Sequence, residues 1–327
     1  MNCTARSVFV FMYVCIAYGI GAAVVTKGMT YWSPLVIIAY RMLFGLLTCI
    51  LIAFYVISTN PSMRSNFKKE VFPPFEDMVH ILAQGLTYQA FPQILMAIAQ
   101  QWVPSTAAQI MQPIAAIVGA TVSHFTLHDE SFNVFKIVSI LMSVTGVSLT
   151  VIPSFDHPAP SFGRFKIILG YVLLFFAVSL FGLSSIYFKI KSFKYHQAIT
   201  STYQLLSATI FCFISALVCD GYKSFIYQTV CAKKIDWIWP LIVGIFCSAL
   251  AVHSALYLVK NVGAIGVYFI EIGQVGFGVI IGVVWLREWK DYELYDVYVS
   301  VAGIALIAIG VVIGFFEPKR TEYEPIP

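Results

Sequence analysis

The chain has 327 residues, of which 59% are hydrophobic and only 11% charged, and its mean hydropathy is +0.84. Soluble globular proteins carry about 25% charged residues, so the composition excludes an ordinary soluble domain. The formal net charge of +4 is small and diffuse, which leaves no footprint for nucleic acid.

Apolar stretches of about twenty residues recur from Ser7 to Phe316, each long enough to cross a hydrocarbon layer of roughly 30 Å as a helix. In chain order they predict helices at Ser7–Met29, Leu35–Ile57, Met78–Ala99, Ser105–His124, Val134–Ile152, Phe165–Ile190, Ile199–Cys219, Trp237–Val259, Ala264–Leu286 and Leu294–Phe316. The fold class is therefore an all-α polytopic membrane protein with ten transmembrane helices. The first run is long and lacks a small-residue cleavage site, so it reads as a membrane helix rather than a signal peptide. Pro34, Pro104 and Pro240 lie near helix starts, where a missing N–H costs nothing. Pro92 and Pro113 fall inside helices and free carbonyls that other groups must satisfy. The third–fourth and eighth–ninth pairs are so closely spaced that either can also be read as one kinked helix. Basic residues mildly favour placing both ends in the cytoplasm. Asn2-Cys3-Thr4 reads as a chance match to a glycosylation sequon in that orientation. Trp32, Trp102, Trp237, Trp239 and Trp289 sit near helix ends, as an interfacial aromatic belt would require.

The chain also repeats itself. Tyr18-Gly19 aligns with Phe181-Gly182 and Arg41 with Gln204 at one offset; after a small shift Gly85 aligns with Gly244, Gln112 with Glu271 and Leu127 with Leu286. Ser139 and Gly146 then align with Gly303 and Gly310. The repeat holds five helices, an odd number, so the second copy enters the bilayer from the opposite side. The expected organisation is a first five-helix repeat over 1–155, an inverted second repeat over 163–316, and a short cytoplasmic tail over 317–327. Inverted repeats are the common basis of alternating access in transporters.

Two stretches carry a family resemblance. Pro34-Leu35-Val36-Ile37-Ile38-Ala39-Tyr40-Arg41 ends in arginine within the second helix. Met111-Gln112-Pro113 opens a segment running through Leu127 to Gly146, mirrored from Glu271 through Trp285-Leu286-Arg287-Glu288 to Gly310. In these features the chain resembles the drug/metabolite transporter superfamily, specifically the EamA-type proteins. The resemblance implies a ten-helix fold with a central cavity between the halves, helices five and ten outside, and an architectural role for Arg41. The family's fourth-helix proline is present at Pro113, but Ile272 takes its place in the second copy. Its glycine–glutamate is replaced by His128-Asp129-Glu130 and Arg287-Glu288. Glu271 stands where phosphate carriers of the superfamily place positive charge, which argues against a phosphorylated substrate.

An ionisable group within a bilayer normally faces protein or water. Glu271 is the strongest candidate for substrate or proton contact, with Tyr268 and Gln274 three residues away on either side and so near the same helix face. A structural partnership with Lys27 or Lys260 is the competing reading. Amides both donate and accept hydrogen bonds, and Gln93, Gln109 and Gln112, joined by Tyr88, form a candidate cavity lining for a neutral or zwitterionic solute. They equally suit interhelical contacts. His80 and His253 read as packing residues, and Lys27 as a residue snorkelling to the interface.

Seven cysteines and six histidines fall in no metal-ligand or disulfide pattern. No nucleotide-binding loop and no catalytic constellation is present. The expected function is secondary transport of a small polar or amphipathic metabolite, with the lipid bilayer as surroundings, protons or a counter-substrate as coupling partners, no cofactor and no nucleic acid. A receptor or scaffold that kept the fold and a cation transporter are the alternatives. Plasma and internal membranes both fit.

Overall fold

In the computed structural model the described residues are 5–126, 134–156, 163–191, 195–262 and 264–314. They are helical, with no strand among them. The sequon at Asn2, the segment His128-Asp129-Glu130 and the tail from Glu317 lie outside the described residues. Helix α1 spans Ala5–Gly28, α2 Pro34–Thr59, α3 75–99, α4 105–126, α5 Val134–Asp156, α6 Arg164–Lys191, α7 197–220, α8 238–262, α9 Ala264–Val284 and α10 Leu294–Gly314. Five helices are long and apolar enough to cross a membrane, with spans at Ser7–Gly28, Pro34–Thr59, Arg164–Tyr187, Gln197–Cys219 and Ile238–Ala255. Shorter apolar stretches occupy Ile137–Pro153, Gly273–Val284 and Leu294–Gly310.

Proline chemistry sets the boundaries. Helix α3 begins at Phe75 rather than at the expected Met78, directly after Pro74. It is separated from α4 by the turn at 100–104, with Pro104 at the helix start, so the two are not one kinked helix. Within α3, residues Gly85–Ala90 form a π-helical turn in which the Phe91 N–H reaches back to the Leu86 carbonyl. The wider turn precedes Pro92, which has no N–H of its own to give. Helix α8 carries its own π segment at Val243–Leu250. In α4 the helix breaks into a turn at Met111 and Gln112, just ahead of Pro113, whose ring opposes a carbonyl one turn earlier.

Helix α2 is the axis of one core. Val36, Ile37, Ile38, Ala39 and Met42 are each wholly buried, as expected for a helix apolar on every side. It packs against α7 and α8, while α1 packs against α9 and α8, and α6 against α3 and α4. Helices α5 and α10 pack chiefly on one another. Exposed Phe, Leu, Ile and Val side chains such as Phe9, Leu51, Phe54, Phe176 and Val218 cover the outer faces. This apolar exterior belongs to an integral membrane protein, whose solvent is lipid rather than water.

Glycines let backbones meet at specific points. A Cβ on Gly244 in α8 would lie 2.6 Å from the Arg41 carbonyl oxygen of α2. One on Gly85 in α3 would collide with the Gln204 carbonyl of α7. Gly19 in α1 meets the Gln274 carbonyl and the Gly278 N–H of α9, and Gly182 in α6 meets the Ala115 carbonyl and the Gly119 N–H of α4. Gly146 and Gly303 face one another between α5 and α10, and Gly310 lies against the Ser139 carbonyl.

Candidate functional site

The interior polar groups centre on Arg41. Arg41 in α2 is 6% exposed. Nε donates to the Ser248 hydroxyl of α8 at 2.8 Å, and Nη1 donates to the Gln93 amide oxygen of α3 at 2.6 Å. Both partners are neutral. These bonds tie three helices, α2, α3 and α8.

The other candidate residues lie around this point in different ways. Gln109 is buried at the junction of α1, α4 and α9. Its Nε2 donates to the Tyr18 carbonyl at 3.1 Å, and Gly278 leaves room for its side chain. Its amide oxygen is buried without a hydrogen-bond partner among the described residues. Gln112, also buried, directs Nε2 at the Met96 sulfur of α3 at 3.6 Å. Gln274 is buried in α9. Tyr88 is half-buried, edge-on to Phe181 at 5.4 Å between ring centroids. Tyr268 and Glu271 belong to α9, and their side chains fall outside the described residues. Among the described residues no three His, Cys, Asp or Glu side chains gather into a metal-sized group.

At one end of the bundle an aromatic cluster covers this region. The Tyr40 ring, one residue from Arg41, lies 4.7 Å from Trp237, 5.5 Å from Trp32, 5.6 Å from Phe213 and 5.8 Å from Phe225. Trp32 is 1% exposed, so it is a core residue and not part of the interfacial belt expected for it. Aromatic burial on this scale holds the helix ends firmly. Polar bonds fasten the cover: Trp32 Nε1 donates to the Asp236 carbonyl at 2.8 Å, Tyr40 shares a hydrogen bond with the Thr229 hydroxyl at 2.8 Å, and Ser33 bonds the Asp220 carboxylate. Ser33 also caps α2, accepting from the Val36 N–H at 3.3 Å.

The opposite end has its own set. Tyr195, ahead of α7, donates to the Asp77 carboxylate of α3 at 2.6 Å. Burial, reinforced by that carboxylate, pushes the Tyr195 phenol up to about 12. Tyr203 donates to the Val71 carbonyl at 3.1 Å, and His80 bonds the Tyr187 hydroxyl. His196 caps α7 by accepting from the Ala198 N–H at 3.2 Å. His253 is not fully satisfied among the described residues: Nε2 lies 3.4 Å from Gln197 Nε2, and Nδ1 has no partner. The two histidines expected to pack quietly therefore differ.

Residues 5–152 match the EamA-like transporter family. The first half of the chain is EamA-like. The matched stretch carries Arg41, Gln93, Gln109, Gln112 and the Asp77 end of the second set, and the family it matches is one of transporters. No curated protein matches the sequence. One solved structure, described only as a crystal structure of protein, resembles the chain with a TM-score of 0.63 over 95% of this chain and 96% of that one, at 13% identity. At that identity the likeness is one of fold, and it extends well beyond the EamA-like half.

The sequence missed the two end clusters. Tyr, Trp, Ser and Asp at helix ends look like ordinary interfacial residues until α2 is set beside α8, and α3 beside α7.

Proposed function

We propose that the protein is a secondary carrier that moves a small polar or amphipathic metabolite by alternating access. In this reading ten helices cross the bilayer as two inverted five-helix repeats, 1–155 and 163–316, with both ends in the cytoplasm. The supporting observation is that aligned residues make equivalent contacts. Gly244 against Arg41 corresponds to Gly85 against Gln204, and Gly19 against Gln274 and Gly278 corresponds to Gly182 against Ala115 and Gly119. Gly146 against Gly303 corresponds to Gly310 against Ser139.

The end clusters follow the same correspondence. Trp32 aligns with Tyr195, Ser33 with His196 and Tyr40 with Tyr203. Trp32 bonds the Asp236 main-chain carbonyl and Tyr195 the Asp77 carboxylate, and the positions of the two aspartates also align. In this reading each half contributes a latch at aligned positions, one at each end of the bundle. A carrier needs two barriers of similar strength that open in turn, because a substrate shifts only an equilibrium between states of nearly equal free energy. Gln93, Gln109, Gln112, Gln274, Tyr88, Tyr268 and Glu271 are the proposed substrate-facing residues between the latches.

The deciding experiment reconstitutes the full chain in liposomes and measures uptake of a labelled metabolite panel with and without a pH gradient, for wild type and Glu271→Gln. Saturable uptake is expected. Loss of the gradient's effect in Glu271→Gln assigns proton coupling to that carboxylate; folded protein that transports nothing across the panel overturns the reading.

A further inference from the structure

Arg41 is the one charged side chain buried among the described residues. Its two hydrogen-bond acceptors, Ser248 and Gln93, carry no charge. A guanidinium holds five N–H donors and stays protonated, and among the described residues only two of these donors have an acceptor. A buried cation without a counter-charge is strongly unfavourable, so such groups are paired or neutralised. A second unfilled donor lies on α3 four residues before Gln93: Gln89 is 3% exposed, and its amide nitrogen has no acceptor among the described residues.

We propose that Arg41 is the anion-binding residue of this carrier and that its solute presents a carboxylate to the unused edge of the guanidinium, with the Gln89 amide as a further donor. The inference rests on the carrier reading. Charge balance selects the class. A single buried cation neutralises a monoanion; a phosphate dianion calls for a second cation, and the other described basic side chains, such as Lys27, Arg64, Lys68 and Lys290, are exposed. Arginine's planar donor pair matches the two oxygens of a carboxylate. Ser248 then acts as a positioning residue, and Gln93, itself among the substrate-facing residues, helps to hold this pair toward the solute. The Tyr40 cluster, one residue away, excludes water from one side, so that the ion pair forms in a medium of low dielectric, where it is strong.

The test uses the purified full-length protein. Thermal stabilisation by L-lactate, propionate and L-alanine is compared with that by methyl lactate and propionamide, which keep the shape and remove the anion. Uptake of the labelled acids into liposomes is measured alongside. The acids are expected to stabilise wild type and the neutral analogues are not. Arg41→Gln should abolish the response, and Arg41→Lys should retain it with at least tenfold weaker apparent affinity, since lysine keeps the charge without the fork. Should Arg41→Gln fail to fold, Gln89→Leu, which keeps the cation, is expected to weaken the acid response several-fold. Neutral analogues acting as well as acids, no acid acting at all, or an unchanged response in folded Arg41→Gln would overturn the proposal. Acid binding without uptake would remove the carrier reading and leave the anion site standing. Saturable uptake of uncharged solutes with no acid response would do the reverse.

Discussion

The Glu288 carboxylate from the turn after α9 sits on the first turn of α4. Oε1 accepts from the Ser105 N–H at 2.7 Å and from its hydroxyl at 2.6 Å, and Oε2 accepts from the Thr106 N–H at 2.9 Å. The first N–H groups of a helix have no intrahelical partner, and the dipole there favours negative charge. Glu288 therefore supplies, from the second half of the chain, the cap that α4 lacks in its own sequence. The chain turns back at Arg287, which adopts the left-handed φ of 55°, and Gly282 keeps the space open, since a Cβ there would lie 2.9 Å from Oε2.

Replacing Glu288 by Ala strips three hydrogen bonds and exposes none of the donors to bulk water. Loss of a cap costs about 0.5–2 kcal/mol, and leaving donors buried and unmet adds to that. Thermal unfolding in detergent should show a clear fall for Glu288→Ala. Glu288→Gln should fall as well, because its amide can satisfy only one oxygen's worth of donors. An unchanged midpoint would mean that the contact contributes nothing.

Two glycines give a matched pair. In Gly85→Ala the new methyl meets the Gln204 carbonyl and the Ser207 hydroxyl across the α3–α7 contact, and overpacking of this kind costs typically about 1–3 kcal/mol. Gly276 in α9 has nothing within 4 Å of the same position. Gly276→Ala is expected to be neutral or to gain up to about 1 kcal/mol of helix propensity. Opposite signs in a single unfolding series would support the packing account; equal effects would refute it.

Trp32 distinguishes a belt residue from a core residue. Trp32→Ala should destabilise by about 3–5 kcal/mol, the range for a large buried aromatic, with the lost Asp236 bond included. Half-buried Trp102 should cost distinctly less on the same substitution. Similar losses at both positions would return Trp32 to the interface.

The Tyr195–Asp77 latch has a defined pH behaviour. Its phenol is raised to about 12 from an ordinary value of 10.0, so the folded state holds this proton more tightly than the unfolded chain. The associated stability is fully present below about pH 10 and is lost as pH rises through about 12. A double-mutant cycle of Tyr195→Phe and Asp77→Ala, followed by unfolding, should give a coupling of about 1–3 kcal/mol. That coupling should stay constant from neutral pH to about pH 9 and shrink above pH 10. A coupling near zero at neutral pH would remove the latch.

Hydrophobicity alone decided the class of this protein. Runs of apolar residues long enough to span a bilayer cannot be placed in water, and their order places α1, α2, α6, α7 and α8 close to their expected bounds. The prolines fixed the local breaks for an equally local reason, since Pro74, Pro104 and Pro113 act on their own backbone. Gly85, Gly182 and Gly244 stood out as landmarks, but their function as contact points appeared only once α3 lay on α7, α6 on α4 and α8 on α2. What packs against what depends on residues up to hundreds of positions apart, and no local rule encodes it. Trp32 looked interfacial because it ends a helix; burial came from Trp237 and Tyr40. Glu288 looked like a departure from a family motif; its partner, Ser105, is 183 residues away. That the described acceptors of Arg41, Ser248 and Gln93, are both neutral was hidden for the same reason. Sequence places a cation inside a helix, but only the neighbouring helices decide whether an acid stands beside it.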